Sequence, residues 1–267
     1  MKIVVKIGKW VLTLALVLYI LACSYLYFQQ ESILFHPTKL SADYQFDFAV
    51  DFEEKVIVGK DGTKLSGVLF KADKSKGLVF YLHGNAGDIT RCEKDAYVYT
   101  KLGYDCFVLD YRGFGKSEGK IISQNQFYTD IEIAYDSLCK HYNESDIIIL
   151  GYSIGTGPAA MLASESNANH LILLAPYYSM IDMMNNQYPF IPSYFLEYKL
   201  KTYEFIPKVK SPISIFHGDT DEIIYYGASV KLKEHFSCKD ELITLIGQTH
   251  VGMNQNPIFV EWLRNKF

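Results

Sequence analysis

The chain has 267 residues, a formal net charge of −4, 49% hydrophobic and 15% aromatic side chains. A charged share of 21% beside so many aromatics excludes a disordered chain, and 18 glycines and 8 prolines without a period exclude collagen-like or low-complexity designs. The mild acidity leaves no electrostatic footprint for nucleic acid. Five scattered cysteines (Cys23, Cys92, Cys106, Cys139 and Cys238) match neither a disulfide framework nor a zinc pattern. A mean hydropathy of +0.02 is high for a soluble enzyme and points to a concentrated apolar segment.

That segment is N-terminal. Residues 10–30 carry no charge, and 10–28 read WVLTLALVLYILACSYLYF. About 20 helical residues span the roughly 30 Å hydrocarbon core of a bilayer. Lys2, Lys6 and Lys9 precede the run and Glu31 is the first charge after it, so the positive-inside rule puts the N-terminus in the cytoplasm. The rest of the chain then lies on the non-cytoplasmic side. Three readings share this outcome: an uncleaved signal anchor, which the length of the run favours, a signal cleaved after Ala22, and a lipoprotein lipidated at Cys23 within Ile20-Leu21-Ala22-Cys23.

Residues 1–30 are thus an anchor or signal, 31–50 a connector, and 51–267 one domain. Strand-like runs fall at 54–59, 65–71, 77–82, 104–110, 146–150, 171–175, 213–216 and 241–246. Helical stretches fall near 88–102, 123–142, 155–165, 226–236 and 256–266. Continuous apolar runs such as LVFYL and IIIL read as strands buried on both faces. The alternation predicts an α/β fold, a mostly parallel eight-stranded sheet with helices on both faces. The first three strands leave no room for helices between them, which predicts an antiparallel edge. One long segment, about 177–209, is rich in aromatics and Met, among them Tyr177, Met183, Tyr188, Phe190 and Tyr194. So long a connection is expected to be a lid or binding loop, against the alternative of a helix pair turning its aromatics inward.

The sharpest motif is Gly151-Tyr152-Ser153-Ile154-Gly155, directly after the strand DIIIL and before a helix. A serine on such a turn is exposed at the sheet's edge, and glycines two residues either side let neighbouring chain pass close. The helix start that follows favours a developing oxyanion. Ser153 is therefore the candidate nucleophile. With a nucleophile on this kind of elbow, the acid and then the base follow in the chain. His36, His83 and His141 precede Ser153, His170 and His217 precede the acid, and His235 sits in a helical stretch. His250, in GQTHVGM after the last strand, is the candidate base. Asp221 is the candidate acid, with Asp219 the alternative and more plainly a turn former.

The oxyanion hole needs the amide after the nucleophile, Ile154, and a second, for which Asn85 in His83-Gly84-Asn85-Ala86-Gly87 is the candidate. His83 reads as structural, bonding within that loop. Asp110-Tyr111-Arg112-Gly113-Phe114-Gly115 lacks the residues of a phosphate cradle and reads as a structural turn near the site. No cofactor or metal is expected. Asn143-Glu144-Ser145 is a glycosylation acceptor only if the protein is eukaryotic and exported.

The segments FYLHGNAG, LDYRGFGKSEG, GYSIGTGPAA and HGDTDEII, with a late Thr249-His250, resemble the α/β-hydrolase superfamily. The combination is similar to its membrane-anchored branch, described as serine aminopeptidase-like and related to bud-emergence-type hydrolases. The similarity runs from about residue 31 to the C-terminus and includes FQQESILFHP after the anchor. It implies nucleophile Ser153, acid Asp221, base His250 and oxyanion donors Asn85 and Ile154. It also implies cofactor-free hydrolysis of esters, thioesters or sometimes amides, while the divergent segment after Pro176 inherits no substrate class. The leading expectation is a membrane-tethered serine hydrolase acting on acyl or lipid-like esters or thioesters. Its rivals are an aminopeptidase, using Asp182, Glu197 or Glu204 to hold a substrate ammonium, and a non-catalytic binding module.

Overall fold

A computed structural model describes residues 2–267. Met1 and the side chains of Lys2 and Tyr194, a flanking charge and an aromatic ring named above, lie outside the described residues. The eight strands of the main sheet are β1 (Phe52–Val58), β2 (Lys64–Phe70), β3 (Leu78–Leu82), β4 (Asp105–Leu109), β5 (Ile147–Tyr152), β6 (His170–Leu174), β7 (Ile213–Gly218) and β8 (Glu241–Leu245). Their spatial order is β1-β2-β4-β3-β5-β6-β7-β8. The β1–β2 and β2–β4 pairs are antiparallel and the others parallel.

The antiparallel edge is therefore two strands rather than three. β3 leaves it and lies between β4 and β5. All five of its residues are buried, which suits a central position with both faces covered. Leu78, Phe80 and Leu82 enter one core, with Phe127 and Ile131 of α4 (Gln124–Leu138), Ala159 and Ala163 of α5 (Thr156–Glu165) and Leu232 of α7 (Gly227–Lys233). Val79 and Tyr81 enter the other, with Tyr99 of α3 (Glu93–Lys101) and Phe259 and Leu263 of α8 (Pro257–Lys266). Each such side chain contributes about 1.5–3 kcal/mol relative to exposure, so no position in the strand tolerates a polar face.

Helix ends follow local chemistry. Ser123 caps α4 by accepting from the amide of Gln126, and α3 starts at Glu93 because a 3-10 turn capped by Asp88 comes first. At the N-terminus, α1 (Lys2–Phe28) is long and apolar enough over Ile3–Phe28 to cross a membrane, and its window is not buried in the protein. It runs into α2 (Gln30–Leu34). The connector is more ordered than its mixed polarity suggests. His36 and Pro37 pair in parallel with Ala86 and Gly87, and Leu40 donates to the carbonyl of Gly115. The connector thus ties the loops after β3 and β4 together.

Between β6 and β7 the long segment forms α6 (Met180–Gln187), capped by Ser179, and three 3-10 turns. Its aromatics divide. Tyr177 and Tyr198 are fully buried, while Phe190 is 85% exposed.

His170, buried at the start of β6, shares a hydrogen bond with the Ser214 hydroxyl at 2.9 Å. Burial, helped by the charge of Lys266, lowers its pKa to about 4. Between about pH 6.5 and 4 the unfolded chain protonates this imidazole and the folded chain does not, so its contribution to stability is lost as pH falls through that window. The stability difference between wild type and His170→Asn should therefore shrink by about 2–3 kcal/mol from pH 7 to pH 4, as urea titrations at each pH would measure.

Candidate active site

The elbow is built by close contact. Ser153 adopts φ +53°, the left-handed region, between β5 and α5. A Cβ on Gly155 would stand 2.1 Å from the Leu82 carbonyl, and one on Gly151 2.6 Å from the carbonyl of Gly155. Glycine at 155 lets the turn close against β3, and glycine at 151 lets it close against the start of α5. Gly155→Ala should accordingly destabilise the fold by about 3 kcal/mol or more in chemical unfolding. Gly84→Ala, whose Cβ would meet that of Ser153 at an ordinary 3.8 Å, should cost far less.

His250, from the loop after β8, accepts a hydrogen bond at Nε2 from the Ser153 hydroxyl at 3.0 Å and donates from Nδ1 to Asp221 Oδ2 at 2.7 Å. The carboxylate thereby fixes the imidazole tautomer that leaves Nε2 free to accept a proton. Ser153 and His250 are each 7% exposed, buried yet reachable. The backbone amides of Ile223 and Ile224 both donate to Asp221 Oδ1 at 2.9 Å. Burial alone would push the Asp221 carboxyl up. Hydrogen bonds from His217, from His250 and from the backbone amide of Ile224 outweigh it and hold the group well below the usual carboxylate range.

Two supporting residues are not evident from the motifs. His217 Nε2 lies 2.8 Å from the Ile224 carbonyl and 3.3 Å from Asp221 Oδ2, while Nδ1 meets the Ser229 hydroxyl at 2.6 Å. The Ile224 carbonyl can only accept, so Nε2 carries the proton and steadies Asp221. The Tyr152 hydroxyl donates to the carbonyl of His250, and its ring stacks on the imidazole at 5.6 Å. Chain order sets His217 aside as the expected base, and the His-Gly pair before Asp221 is the one visible signal of its contact with that carboxylate.

The loop after β3 abuts the serine. His83 donates from Nδ1 to the Gly84 carbonyl and stacks on Tyr111 at 4.4 Å, and burial lowers its pKa to about 4. The carbonyl of Asn85 accepts from the amide of His36 at 2.8 Å, so the connector pins this loop. Asn85 and Ile154 both line the cavity at Ser153. Asp219 instead accepts from the amide of Gly247 and braces a turn. In the turn after β4, Gly115 passes so close to Asp110 that a Cβ would lie 1.9 Å from its carboxylate, and Arg112 pairs with Asp61 and Asp130. No charged side chain of that turn lines either cavity at Ser153.

Those cavities differ. One, of about 290 Å³, is lined by Ile154, Met180, Met183, Met184, Ile191 and Ile224 among others. The second, of about 410 Å³, also reaches Ser153 and His250 but is bordered by Asp88, Arg91, Lys94 and Asp95. The arrangement places a hydroxyl, an imidazole and a carboxylate in relay where an apolar cavity meets one bordered by charged residues. Among the described residues no group of three or more His, Cys, Asp or Glu side chains is placed to hold a metal ion.

The family model for serine aminopeptidases of the S33 type matches residues 73–203, which takes in Asn85 and the elbow and stops before Asp221. Alpha/beta hydrolase domain-containing protein 17C of Xenopus tropicalis is 30% identical over 193 residues, 71% of this chain and 61% of that protein. The chain belongs to the α/β-hydrolase superfamily. Its fold also recurs in solved structures. An esterase from Pyrococcus furiosus superposes with a TM-score of 0.67 at 18% identity, covering 87% of this chain and 94% of that one. The ferulic acid-bound Est1E of Butyrivibrio proteoclasticus does so at 0.67 and 20% identity, covering 79% and 97%. The aho-3 hydrolase-domain protein of Caenorhabditis elegans is 29% identical over 70% of this chain and 56% of its own. The chain thus spans about three fifths of the length of these curated relatives.

Proposed function

We propose that this protein is a membrane-anchored serine hydrolase that cleaves carboxylic esters or thioesters of apolar acyl groups through an acyl-enzyme. The observation that carries the reading is the Ser153–His250–Asp221 relay at the mouth of the Met-lined cavity. Ser153 Oγ attacks the acyl carbon while His250 Nε2 takes its proton. The tetrahedral oxyanion receives hydrogen bonds from the amides of Ile154 and Asn85. Its collapse expels the alcohol or thiol, which collects the proton from His250, and a water activated by the same imidazole then releases the acid. Asp221 stays ionised throughout and stabilises the imidazolium. The apolar cavity suits the acyl chain, and the second cavity, with charges of both signs, suits a polar leaving group. The segment 177–209 acts as the lid of the acyl cavity.

The α1 helix holds this domain on the non-cytoplasmic face, with the N-terminus cytoplasmic. A lipoprotein lipidated at Cys23 would present it to the same side.

The matched family description favours a second reading, an aminopeptidase. Three lid acids are already engaged, however. Asp182 pairs with Lys231 and Tyr225, Glu197 accepts from Tyr27, and Glu204 pairs with Lys201. A panel of p-nitrophenyl esters from acetyl to long acyl chains, run beside aminoacyl anilides, separates the two. Medium or long esters should exceed the anilides by about 10²-fold or more in kcat/KM, each chain step adding binding in proportion to the methylenes buried. Anilide turnover equal to that of the best ester would overturn the ester reading.

A further inference from the structure

Four residues lining the acyl cavity, Leu26, Gln30, Ile33 and Leu34, come from the end of α1 and from α2. The anchor is therefore part of the cavity wall as well as a tether. It is also bonded to the lid at successive depths. The Tyr19 hydroxyl donates to the carbonyl of Phe190 at 2.8 Å, and the Tyr27 hydroxyl donates to Glu197 at 2.8 Å. The Gln30 amide group donates to the carbonyl of Phe195 at 3.1 Å and accepts from the amide of Glu197 at 2.9 Å. Tyr198, in turn, donates to Glu31 at 3.1 Å.

These contacts set a scale. Tyr19 lies nine residues before Phe28 in the sequence, which is about 13 Å along a helix at roughly 1.5 Å per residue. Phe190 is level with Tyr19, inside the apolar run, whereas Glu197 is level with the helix end. The lid chemistry follows the same gradient, since residues 183–196 carry no charge and Glu197 is the first. Phe190 is 85% exposed, and a further apolar cleft lies on the same seam between Ile20, Cys23, Phe28, Pro192 and Phe195. If α1 spans a bilayer, this part of the lid is immersed with it. Aromatic rings open to water would be costly, and against acyl chains they are not.

We propose that the lid tip at Phe190 is embedded in the leaflet, and that the substrate is a bilayer-resident amphiphile whose acyl chain enters sideways between α1 and the lid. The scissile ester or thioester then meets Ser153 without the chain crossing water, and the polar head occupies the second cavity, beside Asp88, Arg91, Lys94 and Asp95. This rests on the hydrolase reading and on anchoring by α1, and deepens both by naming where the substrate comes from.

The test uses the full chain in phosphatidylcholine nanodiscs. In a Trp10→Phe, Trp262→Phe background, Phe190→Trp supplies one indole at the lid tip and Val56→Trp one on the edge strand. Lipids brominated on their acyl chains should quench the first strongly and leave the second unquenched. Turnover is then compared for a long-chain ester carried in the same nanodisc and for a soluble butyrate ester. Phe190→Asp should lower the ratio of bilayer-ester to soluble-ester kcat/KM by about tenfold or more. An unquenched indole at position 190, or a ratio unchanged by Phe190→Asp, overturns lateral entry. The hydrolase reading is scored separately in the same samples by fluorophosphonate labelling of Ser153. Labelling together with an unquenched lid-tip indole therefore rejects this inference alone, and absent labelling rejects the chemistry beneath it.

Discussion

Asp221→Asn should lower kcat on any accepted ester by about 10⁴-fold while KM stays within a few-fold. Asp221 Oδ2 accepts from Nδ1 of His250 at 2.7 Å, and Oδ1 is held by two backbone amides. An Asn here keeps its carbonyl oxygen on the amides of Ile223 and Ile224 and turns its NH₂ toward His250. The imidazole then becomes an acceptor at Nδ1 and carries its proton at Nε2, facing Ser153, where it cannot act as a base. The loss is confined to the transition state because neither cavity loses a lining side chain. His217→Gln should fall far less, about 10-fold, since an amide can still donate toward Asp221 and the Ile224 carbonyl. Steady-state kinetics on both variants check the order. Equal losses would mean that Asp221 acts through structure and not through the tautomer.

Ser153→Ala should remove turnover by about 10⁴-fold to 10⁶-fold with no loss of stability. The hydroxyl bonds to His250, and the left-handed backbone of Ser153 is imposed by the glycines around it. Removing one oxygen leaves that packing intact. The urea midpoint should therefore equal that of wild type or rise slightly, as functional sites commonly hold strain at the expense of stability. A variant that lost activity and stability together would point to a structural role for Ser153.

Much of this was legible in the sequence because residue type or local pattern declares it. Gly151 and Gly155 declare the elbow since a Cβ at either would strike backbone only a few residues or one strand away. LVFYL declares a central strand because alternate residues must satisfy two separate cores. What stayed hidden is long-range. The position of β3 inside the sheet, beyond β4, depends on which strand pairs form, and the run itself carries no mark of its partner. The connector reads as mixed polarity because its bonds are made by backbone, from His36 to Asn85 and from Leu40 to Gly115. Gln30 looks like the first polar residues after an apolar helix usually do. It is buried because its amide group is spent on lid backbone far along the chain. His217 comes too early in the chain for the base expected after Asp221, and its Nε2 lies between the Asp221 carboxylate and the Ile224 carbonyl.

Whether Ser153 is the nucleophile is read most directly by fluorophosphonate labelling of the full chain, followed by mass spectrometry of the modified peptide. One covalent adduct should form on Ser153, absent in Ser153→Ala and much slower to form in Asp221→Asn. Equal labelling of wild type and Ser153→Ala, or an adduct on another residue, would contradict that assignment.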